Sequence, residues 1–256
     1  MLTKYIKKIL VLKSIKKQFI LYLACVAVFL VIKEKNLIFL GAFIIAVSCY
    51  NTYITSYIEA FNTNTQTFIL LGDSILKNDA YVADGKSVDD LLQERHSGKS
   101  LCLAENNSTI ADTYSQINSI PLDLDTPDTT IFLSVGGNDI LIYHINNDTT
   151  NDTTNDTSIL KPMCSSYKKL VKAIRTRLPS ANIVLVDIYY PDNLNLNQYH
   201  PMINEWNAFL YSYAKKQNYN VLKISKVLTK SDDFSFGIEP SSTGSNKIVD
   251  IILSNN

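Results

Sequence analysis

Beyond residue 66 short apolar runs alternate with longer amphipathic stretches, and this alternation constrains the chain more than any other feature. Residues 67–71, 100–104, 130–135, 182–188 and 220–224 read as strands. Residues 87–95, 110–117, 159–178, 202–217 and 243–253 read as helices, with Ser87 as a cap for the first. Strands that are apolar throughout are buried on both faces, and helical crossovers between them make neighbours parallel. The expectation is one α/β domain over residues 67–256, with a parallel sheet of about five strands. That length suffices for a single buried core.

The N-terminus follows a different rule. Lys4, Lys7, Lys8, Lys13, Lys16 and Lys17 lie in a lysine-rich segment, residues 1–18. An apolar run at 19–32, a polar break Lys33-Glu34-Lys35-Asn36 and a second apolar run from Leu37 come next. A bilayer core of ~30 Å takes about twenty helical residues, so 19–58 is expected to hold one or two transmembrane helices, the latter as a helical hairpin. Residues 59–66 would then be a polar linker. The lysines favour a cytoplasmic N-terminus; a hairpin returns the following domain to the same side, and a single pass puts it across the membrane.

Charge excludes some partners. Lys plus Arg and Asp plus Glu each number 24, and the body of the chain has no basic stripe interleaved with aromatic residues, so nucleic acid is not an expected partner. Cys25 and Cys49 fall in the apolar N-terminal part, which leaves Cys102 and Cys164 as the pair able to bridge in the rest. His96, His144 and His200 are scattered, no CxxC occurs, and neither a metal nor a cofactor is expected. One stretch interrupts the α/β rhythm: residues 147–157 read NDTTNDTTNDT, a polar repeat expected to be a solvated loop.

Two motifs carry chemistry. The first apolar run ends in Gly72-Asp73-Ser74-Ile75, and the third ends in Gly136-Gly137-Asn138-Asp139. Open parallel sheets collect ligands beyond the carboxyl ends of their strands, so both motifs can face one cleft. There Ser74 offers a hydroxyl nucleophile.

With these two blocks in order, the stretch from Thr67 to the C-terminus resembles the SGNH, or GDSL-type, hydrolase superfamily. The resemblance implies a flavodoxin-like three-layer α/β/α fold and a serine hydrolase acting on carboxylic esters: a lipid, a small ester or an O-acetylated sugar. It implies Ser74 as nucleophile and an oxyanion hole formed by the Ser74 N–H, a peptide N–H of the second block and the Asn138 side chain. Gly72, Asp73, Gly136, Gly137 and Asp139 support them. The second-block glycine corresponds to Asn107, a residue type that tolerates left-handed backbone.

The chain departs from the family near its end. Where ordinary members carry Asp, two residues, then His-Pro, it reads Phe236-Gly237-Ile238-Glu239-Pro240-Ser241. Losing both partners together is coherent, because an aspartate that orients an imidazolium would repel a carboxylate base. Glu239 is therefore the expected base, with burial needed to raise its pKa from ~4.3 toward neutrality. An apolar Phe236 could help to desolvate it. His200, in the polar loop before the fourth helix, and His144 are alternative bases. Two functions remain open: a membrane-anchored ester hydrolase using Ser74 and Glu239, or a catalytically silent module that keeps the cleft to bind an acyl or glycan ligand at a membrane.

Overall fold

The computed structural model describes residues 47–50, 66–147 and 158–254. Contacts divide the chain into Met1–Asn62 and Thr63–Asn256, and the second unit carries both sequence motifs. The expected membrane segments lie almost wholly outside the described residues. Among the described residues no helix is long and apolar enough to cross a membrane.

The sheet comprises β1 (Thr67–Gly72), β2 (Lys99–Cys102), β3 (Thr129–Ser134), β4 (Asn182–Val186) and β5 (Asn220–Leu222). Its order is β2-β1-β3-β4-β5 with every pairing parallel. Every residue of β1 and β3 is buried. Successive residues of β1 face opposite layers: Ile69 and Leu71 join one core cluster, Phe68 and Leu70 the other.

Helices form those layers. On the Ile69 side pack α3 (Thr113–Asn118), α5 (Leu160–Arg177) and α6 (His200–Gln217), through Ile117, Tyr167, Leu170, Ile174, Trp206 and Leu210. On the Phe68 side pack α1 (Ser74–Lys77), α2 (Val88–Arg95) and α7 (Ser242–Ser254), through Leu76, Val88, Leu92, Ile248 and Ile252. Ser87 caps α2 in a reciprocal capping box with Asp90, as the Ser-x-x-Asp spacing directs. The three-layer α/β/α expectation holds, and the five strands fall within two residues of their anticipated ends.

Two segments differ from expectation. Gly137–Asn147 forms α4, unanticipated because its glycine start and polar end hide the helical period; Asn147 closes it, and the rest of the Asn-Asp-Thr repeat lies outside the described residues. His200 is the first residue of α6 and not part of the preceding loop, with Pro201 in the first turn where its missing N–H costs nothing. Cys102 and Cys164, the pair able to bridge, are both free.

Strand order reverses at β1, since the chain moves outward to β2 on one side and to β3, β4 and β5 on the other. The crevice between the carboxyl ends of β1 and β3 is the switch point where this architecture binds ligands. Both sequence motifs sit there.

Candidate active site

The turn after β1 can be built only with glycine. Gly72 has φ +119°, and a Cβ there would come 1.5 Å from the Ser134 carbonyl oxygen on β3. That contact lets the two strand ends approach and brings Asp73 against β3. Asp73 then caps α1, accepting from the Ile75 N–H at 3.2 Å and the Ser134 hydroxyl at 2.7 Å. Ser74, the next residue, opens the helix and is 7% exposed.

The turn after β3 is its counterpart. Gly136 has φ +121°, and a Cβ would meet the Trp206 ring at 2.8 Å. Trp206 is thereby a core residue behind the site rather than a pocket wall. Asn138 donates from Nδ2 to the Ser108 carbonyl at 3.0 Å, and Asp139 accepts from the Ile110 N–H at 3.1 Å. Both side chains thus hold the second-block loop against the third.

Asn107 adopts the left-handed backbone expected of a glycine surrogate, with φ +64°. The residue is exposed and does not line the pocket that holds Ser74. Gln116 completes this side of the site. It accepts from the Gly72 N–H at 2.7 Å, donates to the Gly72 carbonyl at 2.8 Å and to the Ser108 hydroxyl at 3.1 Å.

Glu239 arrives from the far end of the chain. It begins β7 (Glu239–Pro240), which pairs antiparallel with β6 (Phe234–Ser235). Phe236, at the position of the family's aspartate, takes φ +54° and is 82% exposed. It does not desolvate the carboxylate as its apolar character suggested. Desolvation comes instead from the pocket walls.

That pocket encloses about 50 Å³ and is lined on its polar side by Asp73, Ser74, Gly137, Asn138, Tyr189 and Glu239. Ile75, Ile140, Leu141, Ile188, Pro191, Tyr199, Ile203 and Ile238 make the apolar side. Burial pushes the Glu239 carboxyl above its ordinary 4.5, while the neighbouring Ser74 side chain holds it down. Its Oε2 is buried and accepts no hydrogen bond from the described residues. The structure therefore brings Ser74, Asn138 and Glu239 into one pocket, a grouping suited to deprotonating a serine beside an amide donor.

Neighbouring groups tune this arrangement. Burial raises Asp73 to about 7, against the Ser134 and Ile75 bonds that lower it, and the nearby Glu239 charge raises it further. Burial also raises Asp139, opposed by the Ile110 N–H. Tyr189 is pushed well above 10 by burial, then by Glu239 and Asp73; Tyr81, in the 3₁₀ turn Asp79–Tyr81, is raised by burial and by Glu239. Full burial favours the neutral acid of Asp73, which leaves half-buried Glu239 the group readier to carry the charge.

His200 is not a pocket-lining residue; its ring meets Tyr190 edge-on at 5.2 Å, and its Nε2 is buried without a partner among the described residues. The backbone of His144 lies in α4, and its side chain is outside the described residues. His96 stacks on Phe68 and faces the Gln66 carbonyl at the opposite end of β1. Among the described residues no group of His, Cys, Asp or Glu is arranged to hold a metal ion.

Sequence reasoning missed Ser134, Gln116 and Asn78, because buried polar side chains that bond across the fold leave no local pattern. Asn78 closes α1 in a left-handed conformation and is fully buried. It donates to the Pro240 carbonyl at 2.8 Å and the Ser245 hydroxyl at 2.7 Å, and accepts from the Val88 N–H at 2.9 Å. Its residue type was the available signal, since Asn is the non-glycine residue that most readily closes a helix with a positive φ, here +36°.

Known proteins share this fold. The model of the GDSL-like Lipase/Acylhydrolase family matches residues 70–245. A member of the lipolytic protein G-D-S-L family from Veillonella parvula is 18% identical, with TM-score 0.58 over 74% of this chain and 97% of that one. Phospholipase A1 from Streptomyces albidoflavus is 13% identical, with TM-score 0.59 over 75% and 100%. A psychrotrophic esterase from Pseudoalteromonas sp. is 17% identical, with TM-score 0.55 over 74% and 95%. No curated protein matches the chain. At these identities the solved structures speak for the fold, while the family match runs from the Ser74 turn through Asn138 to Glu239 and beyond. The chain belongs to the GDSL-like lipase/acylhydrolase family of hydrolases.

Proposed function

We propose that the chain cleaves a carboxylic ester through Ser74, with Glu239 as the general base. The observation that carries this reading is the meeting of Ser74, a half-buried Glu239 carboxyl and Asn138 in the lining of one pocket. Ser74 Oγ attacks the acyl carbon as its proton passes to Glu239. The carbonyl oxygen becomes an oxyanion held by the Ser74 N–H and Asn138 Nδ2, donors worth about 3 kcal/mol each when preorganised, while exposed Asn107 stands outside the pocket. Collapse expels the alcohol, which takes the proton from Glu239. Water, deprotonated by Glu239, then attacks the acyl-serine; collapse releases the acid, and the departing Ser74 Oγ takes the proton back from Glu239.

The apolar wall receives the acyl group, and the substrates in view are a lipid, a small ester or an O-acetylated sugar. The lysine-rich start and the apolar runs at 19–58 support anchorage at a membrane. Resistance of the full chain to alkaline carbonate extraction from membranes tests that part.

Hydrolysis of p-nitrophenyl esters of graded chain length, beside Ser74→Ala and Glu239→Gln, tests the chemistry. Loss in both variants supports the Ser–Glu pair. Loss in Ser74→Ala alone transfers the base to His200 or His144. Absence of turnover together with absence of fluorophosphonate labelling at Ser74 favours the silent binding module.

A further inference from the structure

A general base works only if it is held at the nucleophile, and among the described residues none beside Glu239 holds it by charge. The groups facing it are Asp73, Tyr81 and Tyr189, none of them cationic and each one repelled by the carboxylate when ionised. Its hairpin is too short to hold itself, since β6 and β7 have two residues each and isolated two-stranded ribbons are marginal. The turn between them runs through left-handed Phe236, a conformation unfavourable for a bulky side chain.

The backbone on each side of Glu239 is nevertheless pinned. The Ile238 carbonyl accepts from the Tyr189 hydroxyl at 2.5 Å, and the Pro240 carbonyl accepts from Asn78 Nδ2 at 2.8 Å. Tyr189 lies just past β4, and Asn78 closes the helix that Ser74 opens. Both are buried, at 5% and 0% exposure, and the three Asn78 bonds join α1, the start of α2, β7 and α7. The path from Ser74 along one helical turn to Asn78, and across one hydrogen bond to Pro240, is a direct mechanical link between nucleophile and base.

We propose that Asn78 and Tyr189 are positioning residues that clamp the Glu239 backbone from both sides and set its separation from Ser74. The clamp supplies through the main chain what an orienting carboxylate could not supply to another carboxylate. It rests on the Ser74–Glu239 reading of the site.

The test uses the full chain and p-nitrophenyl butyrate, with kcat, KM and the pH profile measured for Tyr189→Phe and Asn78→Gly. Tyr189→Phe removes one oxygen; Asn78→Gly keeps the left-handed backbone and deletes the bonds. Misplacement of a reacting group by ~1 Å costs about a hundredfold, so Asn78→Gly is expected to lower kcat by about that factor and Tyr189→Phe by about tenfold. KM should move less than kcat in both. The acid limb of the profile should shift to lower pH, because a loosened hairpin admits water to the carboxyl. Wild-type kcat and an unmoved acid limb in both variants, with only the melting temperature lowered, would overturn the clamp. If Asn78→Gly does not fold, Ser245→Ala takes its place, with a smaller expected loss in the same direction. Glu239→Gln separates the two readings: if it keeps wild-type turnover, the Ser–Glu pair fails and the clamp with it. If it loses turnover while Tyr189→Phe and the Asn78-side variant do not, the clamp alone fails.

Discussion

The two sides of the pocket are built by opposite means. On the Ser74 side, strand ends, tight glycine turns and neighbouring residues place Ser74 and Asn138 within short stretches of chain. On the Glu239 side, a hairpin of two-residue strands with a left-handed phenylalanine in its turn would not hold its shape alone. Buried side chains tie it to distant elements: Asn78, Tyr189, and Asp233 just before β6, which lies 2.6 Å from the Lys247 ammonium of α7. A local motif can thus be read directly, while the placement of Glu239 depends on contacts that form only when the domain closes.

This contrast can be broken most forcefully at Gly72. An alanine there would place its Cβ within 1.5 Å of a strand carbonyl at an unfavourable φ, so Gly72→Ala is expected to destabilise the domain by at least about 3 kcal/mol, read by urea denaturation. A near-neutral result would show that the β1 turn is not glycine-bound.

On the other side, the pH profile reports the burial of Glu239. A base must be ionised, and burial raises this carboxyl above 4.5, so the acid limb of kcat/KM is expected above the ordinary glutamate range. Below it, activity falls about tenfold per pH unit. A limb at or below 4.5 would place the base in bulk water.

Lys247→Ala tests the hairpin's remote support. It removes the one cation on buried Asp233 among the described residues, although the Thr229 and Lys230 N–H groups remain at 2.9 Å. The expected cost is about 2 kcal/mol, with a larger fall in kcat than in KM because β6 leads directly to Glu239. Equal loss of stability with unchanged kcat would detach this ion pair from the site.

The smallest effect concerns Ser134→Ala, expected to cost about 1 kcal/mol. Asp73 binds its proton more tightly folded than unfolded, being raised from 3.8 to about 7 by burial. The stability it contributes is complete below 3.8 and lost as pH rises through about 7. Removing the Ser134 hydroxyl, which lowers that value, should carry the decline to higher pH. Thermal melts from about pH 4 to 9 would show it, since no change in midpoint would mean that the bond does not act on Asp73.

Much of the architecture was legible because its signals are local. Apolar runs bounded by polar segments mark strands buried on both faces, and Ser87 and the glycine turns mark where they connect. The Gly-Asp-Ser and Gly-Gly-Asn-Asp blocks mark the switch point for the same reason: a turn that must approach a neighbouring strand admits few residue types. Helix α4 was hidden because Gly137 and the polar repeat obscure its period. Phe236 was misread as a desolvating side chain because composition says nothing of direction, and a left-handed backbone turns it outward.

From residue order alone follow the α/β class and the position of Ser74 and Asn138, since these depend on steric and periodic rules acting over a few residues, while the replacement of histidine by Glu239 follows from the resemblance to the family. Closure of the fold settles the rest. It sets Glu239 beside Ser74, buries its carboxyl against isoleucines from α4, α6 and the β4 end, and recruits Asn78, Tyr189 and Gln116 as ties. Each of those facts is a meeting of segments far apart in the chain, and a buried hydrogen bond gains its strength and its cost only from the surroundings that the packed sheet and helices create.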